Sequence, residues 1–371
     1  YEADGGVASN NKFIKNTAKT NAGAIRWKGN GGTVSDNYFS ENTASLTGGA
    51  IYWEGTKGIL SNNQFIKNTA DVSAGAVLWN GNSGTVSGNT FTDSSATNYG
   101  GAIYFKGNYS TLSNNQFKNN KASKSGGALY WEGINGQVKN NVFEDSSSQS
   151  GSGGAIRWDA ASGTLTGNTF KNSNAKSGGA IYWEGKDGKL IQNTFTKSTA
   201  SDAGGAVYWN SNNAEITGNS FDGSTSTNNY GGAIYFNGDS SKINNNNFTN
   251  NKAAKSGGAL YYNGASNTAS SNIFTDNTAQ SGSGGAVSWN GASATLTKNQ
   301  FEGNSASKGT AVYGEGNNAK INTNTFINDV EGDGCLRWEG SAEIKDNIYV
   351  SHSRVTTLTL DELETYYGAT P

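Results

Sequence analysis

The chain has 371 residues, of which 52 are glycine, while proline, cysteine and histidine occur once each and methionine is absent. Only 33% of the residues are hydrophobic and 15% are charged, so the composition excludes the large aliphatic core of an ordinary globular protein. The net charge of −2 argues against a nucleic-acid-binding surface, and the 11% aromatic content argues against disorder.

The composition also limits the partners that we expect. No apolar run approaches the 18 or so residues that a membrane-spanning helix needs, so we predict no membrane insertion by this chain. The single cysteine, Cys335, excludes an intrachain disulfide, and its place among small residues predicts a buried thiol. Because no recognisable cofactor motif occurs, we expect no cofactor.

A repeat of about 26 residues runs along the chain and determines the predicted architecture. Phenylalanine marks one position of each unit, and Tyr349 takes the last such position. An asparagine precedes each of these residues by two positions, from Asn11 to Asn347. The phenylalanines are Phe13, Phe39, Phe65, Phe91, Phe117, Phe143, Phe170, Phe195, Phe221, Phe248, Phe274, Phe301 and Phe326. Units this short cannot bury a hydrophobic face alone, so they must stack on one another.

The units are rich in glycine, asparagine, β-branched and aromatic residues and alternate with a period of two, which favours strands over helices. We therefore predict an all-β, single-stranded parallel β-helix over residues 1–350, with about 14 coils of about 26 residues. A coil of that length traces roughly 85 Å, which accommodates three short strands. Thirteen steps between coils give a rod about 60 Å long.

A second signature, Gly-Gly-Ala-Ile-Tyr-Trp with variants, predicts which side chains point inward. Because successive side chains of a strand alternate, isoleucine and tryptophan share one face and the residue between them takes the other. That middle position accepts Arg26, Arg157 and Ser288, so we assign it to the outer surface. The asparagine before each phenylalanine predicts an internal ladder at a corner of the coil, because stacked amides hydrogen-bond along the axis.

A longer period of 130–131 residues, or five coils, lies above the single coil. The segment TNYGGAIYFKG at residues 97–107 recurs as TNNYGGAIYFNG at residues 227–238, and SGSGGAIRW at 150–158 recurs as SGSGGAVSW at 281–289. We infer the duplication of a five-coil block, which repeats a surface feature every ~24 Å along the rod.

Two motifs together resemble known surface-protein repeats. The Gly-Gly-Ala-Ile motif is paired with Phe-x-x-Asn, as at Phe13–Asn16, Phe39–Asn42, Phe65–Asn68, Phe117–Asn120, Phe248–Asn251, Phe274–Asn277 and Phe301–Asn304. This pairing resembles the repeats of chlamydial polymorphic membrane proteins, and the fuller pattern is similar to adhesin-like surface proteins of methanogenic archaea. Over residues up to about 350, the resemblance implies a secreted, right-handed β-helix displayed at a cell surface for adhesion. It transfers no catalytic residues.

The outer column of tyrosines is the candidate binding site. We name as the tyrosine strip Tyr52, Tyr104, Tyr130, Tyr182, Tyr208, Tyr235, Tyr261 and Tyr313. Acids and asparagines such as Glu54, Glu132 and Asn210 flank it, and a polar aromatic surface suits sugar rings. The alternative is that the tyrosines only stack across strands and stabilise an exposed sheet.

We interpret the chain as an extracellular cell-surface protein, adhesin-like or structural, which presents this face to glycans or surface proteins of a host or neighbouring cell. One alternative is a subunit that associates head to tail into an extracellular filament or sheath. Another is a polysaccharide lyase or glycoside hydrolase. Because the acids recur periodically and no coil has a long insertion, we predict that the chain is not an enzyme.

The remaining predictions concern the C-terminal part. Asp329, Glu331 and Asp333 alternate as in a fragment of a calcium loop, although a plain acidic corner is the alternative. The lone His352 is predicted to be a surface residue. Residues 351–371 depart from the repeat, and we expect them to form a cap or tail over the last coil.

Overall fold

The computed structural model describes residues 1–328 and 334–350, which form an all-β, right-handed parallel β-helix of about 13 coils of about 26 residues. The described residues contain no helix. The predicted fold class is therefore confirmed. The acidic segment with Asp329, Glu331 and Asp333, His352 and the predicted cap at residues 351–371 lie outside the described residues, so those expectations remain predictions.

Within the described residues, the strands of successive coils form four parallel sheets, which we name A to D in chain order. Sheet A has 14 strands. They are Val7–Ser9, Thr33–Ser35, Ile59–Ser61, Thr85–Ser87, Thr111–Ser113, Gln137–Lys139, Thr164–Thr166, Lys189–Ile191, Glu215–Thr217, Lys242–Asn244, Thr268–Ser270, Thr295–Thr297, Ala319–Asn322 and Ala342–Lys345. Sheet B also has 14 strands. They are Lys12–Ile14, Tyr38–Ser40, Gln64–Ile66, Thr90–Thr92, Gln116–Lys118, Val142–Glu144, Thr169–Lys171, Thr194–Thr196, Ser220–Asp222, Asn247–Thr249, Ile273–Thr275, Gln300–Glu302, Thr325–Ile327 and Ile348–Val350.

Sheet C is formed mostly by two-residue strands. Its 11 members are Thr17–Ala18, Thr43–Ala44, Thr69–Ala70, Ser95–Ala96, Lys121–Ala122, Ser147–Ser152, Asn174–Ser177, Thr199–Ala200, Thr225–Ser226, Lys252–Ala253 and Thr278–Ala279. Sheet D has 13 strands. They are Ile25–Trp27, Ile51–Trp53, Val77–Trp79, Ile103–Phe105, Leu129–Trp131, Ile156–Trp158, Ile181–Trp183, Val207–Trp209, Ile234–Asn237, Leu260–Asn263, Val287–Asn290, Val312–Glu315 and Leu336–Glu339. The prediction of three strands per coil is thus wrong, because a pair of residues such as Thr-Ala is too short to show alternation.

The core consists of columns of identical or similar side chains that run along the rod. Phe65 and Phe91 of sheet B stack with ring centroids 4.7 Å apart, and Trp53 and Trp79 of sheet D stack at 4.5 Å. These separations match the spacing of about 4.8 Å between neighbouring strands, so each ring packs on the next without a gap. Aromatic stacks therefore supply apolar volume that the aliphatic residues lack.

The asparagine before each phenylalanine forms the predicted internal ladder. Asn193 is buried; its side-chain Nδ2 donates to the carbonyl oxygens of Leu165 and Ile191 and to Oδ1 of Asn219, each at 3.0 Å. Its own Oδ1 accepts hydrogen bonds from the backbone nitrogen and Nδ2 of Asn168, both at 2.9 Å. The amide is thus fully hydrogen-bonded inside the coil, which a buried polar group requires.

A second ladder occupies the next corner, three residues after each phenylalanine. The backbone nitrogen and Nδ2 of Asn42 donate to Oδ1 of Asn68 at 3.1 and 2.9 Å, and Asn68 in turn donates to the carbonyl of Phe39 at 3.0 Å. Serines replace asparagine in part of this column, namely Ser94, Ser146, Ser173, Ser198 and Ser224. The Phe-x-x-Asn motif therefore has a structural cause.

Tight corners explain the glycine pair that precedes sheet D. Gly100 has a φ of +64°, in the left-handed region that disfavours most side chains. The adjacent Gly101 has no room for a side chain, because a Cβ there would collide with the carbonyl oxygen of Gly127 in the next coil. This corner turns the chain so that the middle residue of each sheet D strand faces outward.

Candidate functional site

The tyrosine strip lies on the outer face of sheet D, where each member occupies the middle of a three- or four-residue strand. Parallel register places Tyr182, Tyr208, Tyr235 and Tyr261 in four consecutive coils. Other residues interrupt the column elsewhere. Leu78 follows Tyr52, Arg157 lies between Tyr130 and Tyr182, and Ser288 lies between Tyr261 and Tyr313.

The four consecutive tyrosines stack on one another. The ring centroids of Tyr182 and Tyr208 are 4.7 Å apart, those of Tyr208 and Tyr235 are 4.7 Å apart, and those of Tyr235 and Tyr261 are 5.4 Å apart. Their faces therefore contact each other, and the ring edges and hydroxyl groups face outward. This stacking agrees with the alternative that the tyrosines pack across strands and stabilise an exposed sheet. The polar ring edges are the part of the stack that faces solvent.

Two further tyrosines join the strip from a neighbouring column, and the sequence analysis did not single them out. Tyr99 and Tyr230 each precede a glycine pair and are related by the five-coil duplication. The Tyr99 ring lies 4.8 Å from that of Tyr130, and the Tyr230 ring lies 4.5 Å from that of Tyr261. The signal was present in the repeated TNYGG and NNYGG segments, because serine, threonine or alanine fills this position in most other coils.

The strip is less exposed than an outer column was expected to be. Tyr130 is 8% exposed, Leu78 is 5% exposed and Ser288 is 4% exposed, while most other members are half-buried. Neighbouring rings cover much of this surface, as Tyr99 does for Tyr130. The strip is therefore a shallow, packed surface.

A row of polar side chains runs beside the strip, two residues further along each strand. The hydroxyl groups of Tyr104 and Tyr130 donate to Glu132 at 2.6 Å and to Asp159 at 2.5 Å. The hydroxyl group of Tyr313 donates to Glu315 at 2.7 Å. Further along the same row, Nδ2 of Asn237 donates to Asn210 at 2.6 Å, and Nδ2 of Asn263 donates to Asn237 at 2.9 Å. Phenols, carboxylates and amides thus form one hydrogen-bonded surface.

Arg157 brings positive charge into this surface. Its Nε lies 2.5 Å from Oδ1 of Asp159, and its Nη2 lies 2.6 Å from Oε2 of Glu184. The guanidinium group also lies over the ring of Tyr182, 4.2 Å from the centroid. Two coils earlier, Nζ of Lys106 lies 4.7 Å from the ring centroid of Tyr104. Such contacts combine cation–π attraction with charge pairing.

Partial burial keeps the tyrosines protonated. Burial, together with the neighbouring phenols Tyr235 and Tyr230, raises the pKa of Tyr261 to about 12. Burial and the hydrogen bond to Glu132 raise the pKa of Tyr104 well above its usual value, and burial and Asp159 do the same for Tyr130. At neutral pH these groups serve as hydrogen-bond donors and are poorly suited to act as bases.

In the described residues, we find no group of three or more histidine, cysteine, aspartate or glutamate side chains arranged to hold a metal ion. Within the same part of the chain, no helix has the length and hydrophobicity to cross a membrane. Cys335 is only half-buried against the edge of the core, so the prediction of a fully buried thiol is wrong.

Solved structures that are similar to this chain include alginate lyases and a phage tailspike protein. A PL6 alginate lyase in complex with a trisaccharide is 12% identical, with a TM-score of 0.55 over 95% of this chain and 82% of that chain. The alginate lyase AlyF-OU02 is 11% identical, with a TM-score of 0.53 over 95% of this chain and 86% of that chain. A tailspike protein of E. coli bacteriophage HK620, in complex with a pentasaccharide, is 11% identical, with a TM-score of 0.41 over 86% of this chain and 58% of that chain.

At these identities the likeness to the lyases indicates a common fold. It nevertheless corrects one expectation: the prediction that the chain is not an enzyme is wrong, because alginate lyases are built on the same kind of repetitive rod. The repetitive fold is therefore no argument against catalysis. No curated protein sequence matches the chain significantly. The profile of the right-handed β-helix region matches residues 2–143 and 154–326, so the chain belongs to the right-handed β-helix family.

Proposed function

We propose that the protein is an extracellular, adhesin-like rod that binds glycans through the tyrosine strip. The observation that carries this proposal is the hydrogen-bonded surface of phenols, amides and carboxylates along the outer face of sheet D. Sugars offer hydroxyl groups to such donors and acceptors, and the outward edges of the tyrosine rings add apolar contact. Location at a cell surface is part of the same proposal. It rests on the motif resemblance to surface-protein repeats alone, since no curated protein sequence matches the chain.

Binding of purified protein to an array of neutral and acidic glycans tests the proposal, followed by isothermal titration calorimetry with each hit. Replacing Tyr182 and Tyr208 by serine removes two adjacent rings and hydroxyl groups from the strip. We expect this variant to weaken binding about tenfold or more, which corresponds to about 1.4 kcal/mol.

The matched control changes sheet B, a different face of the coil, at an equally repetitive position. Gln116 is exposed in the middle of the rod, so Gln116→Ser should leave glycan affinity unchanged. Equal losses in both variants, or the absence of any glycan hit at millimolar concentration, would argue against the strip as a binding surface. Light scattering of the same preparations tests the alternative of head-to-tail self-association, which predicts a mass that rises with concentration.

A second candidate function, cleavage of an acidic polysaccharide, is favoured by the cluster around Arg157. There a guanidinium group, two carboxylates and protonated tyrosines lie within hydrogen-bonding distance of one another. Elimination from a uronate needs a cation beside the sugar carboxylate, a base for the neighbouring proton and a donor for the leaving oxygen. Burial and Asp159 raise the pKa of Tyr130, so its hydroxyl group stays protonated at neutral pH and can donate a hydrogen bond to the leaving oxygen.

Incubation with alginate, followed by the appearance of unsaturated oligosaccharides, tests this second function. Arg157→Gln should abolish cleavage while Lys12→Gln, on sheet B, should retain it. If the protein binds alginate but releases no unsaturated oligosaccharides, the lyase function is rejected and glycan binding remains the proposed function.

A further inference from the structure

The tyrosine strip is interrupted by one small residue, and a pocket opens there. Register places Ser288 between Tyr261 and Tyr313 in neighbouring coils. A pocket of about 220 Å³ lies at this position, and its nine lining residues include these three together with Tyr230, Asn290 and Glu315. Since a water molecule occupies about 30 Å³, the pocket is large enough for one sugar ring.

The spacing of the column explains why a ring fits. Tyr261 and Tyr313 are two coils apart, which separates their backbones by about 10 Å. A ring placed halfway between them stands about 4.8 Å from each, close to the 4.7 Å between Tyr182 and Tyr208 in the uninterrupted part of the column. The next coil places Ser288 and not a tyrosine beside Tyr261, while Tyr230 of the neighbouring column stacks on the Tyr261 ring at 4.5 Å.

The five-coil duplication supplies an internal comparison. Seven of the nine residues that line the pocket have identical counterparts 131 positions earlier, including Tyr182 for Tyr313 and Glu184 for Glu315. Only two differ: Arg157 stands where the second block has Ser288, and Asp159 stands where it has Asn290.

In the first block, the guanidinium group of Arg157 fills this position. It lies 4.2 Å from the ring centroid of Tyr182 and pairs with Asp159 and Glu184 at 2.5 and 2.6 Å. Its three contacts are the counterparts of Tyr313, Asn290 and Glu315. A group that donates hydrogen bonds therefore fits against this tyrosine and these polar side chains. In the second block Ser288 is too short to take the place of the guanidinium group, and Glu315 accepts a hydrogen bond from the hydroxyl group of Tyr313.

We propose that the Ser288 pocket is a subsite for one neutral hexose residue of the glycan, a step that rests on the proposed glycan-binding function. The sugar ring occupies the missing place in the tyrosine column. Its hydroxyl groups donate to Glu315 and exchange hydrogen bonds with Asn290, both of which are exposed. The carboxylate of Glu315 disfavours a uronate at this position, because two like charges would be brought together in a partly buried pocket.

Two reciprocal variants test the proposal, and each copies a sequence that the other half of the rod already contains. Ser288→Arg with Asn290→Asp fills the pocket as in the first block, and Arg157→Ser with Asp159→Asn opens the equivalent position. Calorimetry uses oligosaccharides of glucose, galactose, mannose or N-acetylglucosamine, with alginate oligosaccharides as the acidic comparison. We expect the filled variant to bind neutral oligosaccharides about tenfold more weakly or worse. The opened variant should gain a second site of similar affinity.

The outcomes separate this inference from the function on which it rests. If neither pair of substitutions changes the affinity for neutral glycans, the proposed subsite is rejected, while the tyrosine strip remains the proposed binding surface. If the wild-type protein prefers alginate oligosaccharides and the filled variant loses this preference, the assignment of a neutral sugar to the pocket is also rejected. If the wild-type protein binds no glycan, the proposed function itself fails. We expect the melting temperatures of both variants to stay close to that of the wild type. Such a result would show that a loss of binding is not caused by unfolding.

Discussion

At the scale of single residues, the inner aromatic column contains three buried polar groups without a partner among the described residues: the ring nitrogens of Trp209 and Trp289 and the hydroxyl group of Tyr262. Tyr262 is completely buried, and its hydroxyl group has no hydrogen-bond partner among the described residues. Phe236 fills the equivalent position in the preceding coil without difficulty. Burying a hydroxyl group costs desolvation free energy, and without a partner no hydrogen bond offsets that cost.

We therefore expect Tyr262→Phe to raise the free energy of unfolding by about 1 kcal/mol, because it removes only the unsatisfied group. Thermal and denaturant unfolding measure the change. Tyr109→Phe is the control, since this tyrosine is 63% exposed and its substitution should change stability little. A destabilised Tyr262→Phe variant would mean that the hydroxyl group has a partner, such as a buried water molecule.

The pKa of Tyr261 gives a second prediction at this scale. An unfolded tyrosine has a pKa of about 10, whereas the folded protein holds Tyr261 at about 12. Above pH 10 the unfolded chain therefore loses its proton first, so unfolding becomes more favourable as pH rises towards 12. The contribution of Tyr261 is fully present below pH 10.

We expect the melting temperature to fall more steeply between pH 10 and 12 in the wild type than in Tyr261→Phe, in which this group no longer titrates. Melting curves of both proteins across this range measure the difference, which cancels the titration of lysines common to both. Parallel pH profiles for the two proteins would contradict the raised pKa.

At the scale of elements, the two ladders differ in how much each corner depends on asparagine. In the first ladder, Asn193 both donates to two carbonyl groups and links Asn168 to Asn219. In the second, serine already replaces asparagine in several coils, and the backbone of Ser94 donates directly to Asn120.

Replacing Asn193 by alanine should therefore cost about 3 kcal/mol or more, because it leaves several buried donors and acceptors unpaired at once. Asn120→Ser, a change that neighbouring coils already contain, should cost far less. Denaturant unfolding of the two variants makes the comparison. Similar losses of unfolding free energy in the two variants would show that the two ladders contribute equally. The amide network would then not be the main source of stability at the first corner.

Most of this architecture was predictable because each repeat unit of the sequence forms one coil of the fold. Constant spacing of Phe65 and its counterparts fixed the coil length, and alternation around Trp53 separated inner from outer columns. Sheet C was missed because a strand of two residues has no period. The second ladder was visible as Phe-x-x-Asn, but an asparagine in a motif does not indicate by itself whether it points inward.

The site was harder to predict than the fold. The strip was found from its column, yet the sequence does not reveal that stacked rings cover one another's faces or that Tyr99 joins Tyr130 from a different column. Both depend on contacts between coils. Ser288 was visible as an exception in the outer column, but the pocket becomes apparent only when its neighbours are placed in register.

At the scale of the whole molecule, the five-coil duplication places two tyrosine triads about 24 Å apart along one face. The first comprises Tyr99, Tyr104 and Tyr130, and the second their counterparts Tyr230, Tyr235 and Tyr261. A rigid rod holds the two triads at a fixed separation. A glycan long enough to reach both binds the second triad intramolecularly, which raises its apparent affinity without any new kind of contact.

We therefore expect affinity to rise at least about tenfold once an oligosaccharide spans this distance, and to change little with length below it. Calorimetry with size-fractionated oligosaccharides of one composition measures the dependence. Replacing Tyr104 and Tyr130 by serine removes the first triad, so this variant should keep the affinity of the wild type for short oligosaccharides and lose the gain for long ones. A length dependence that survives this substitution would show that the duplication does not create two cooperating sites, and that the second block alone binds the glycan.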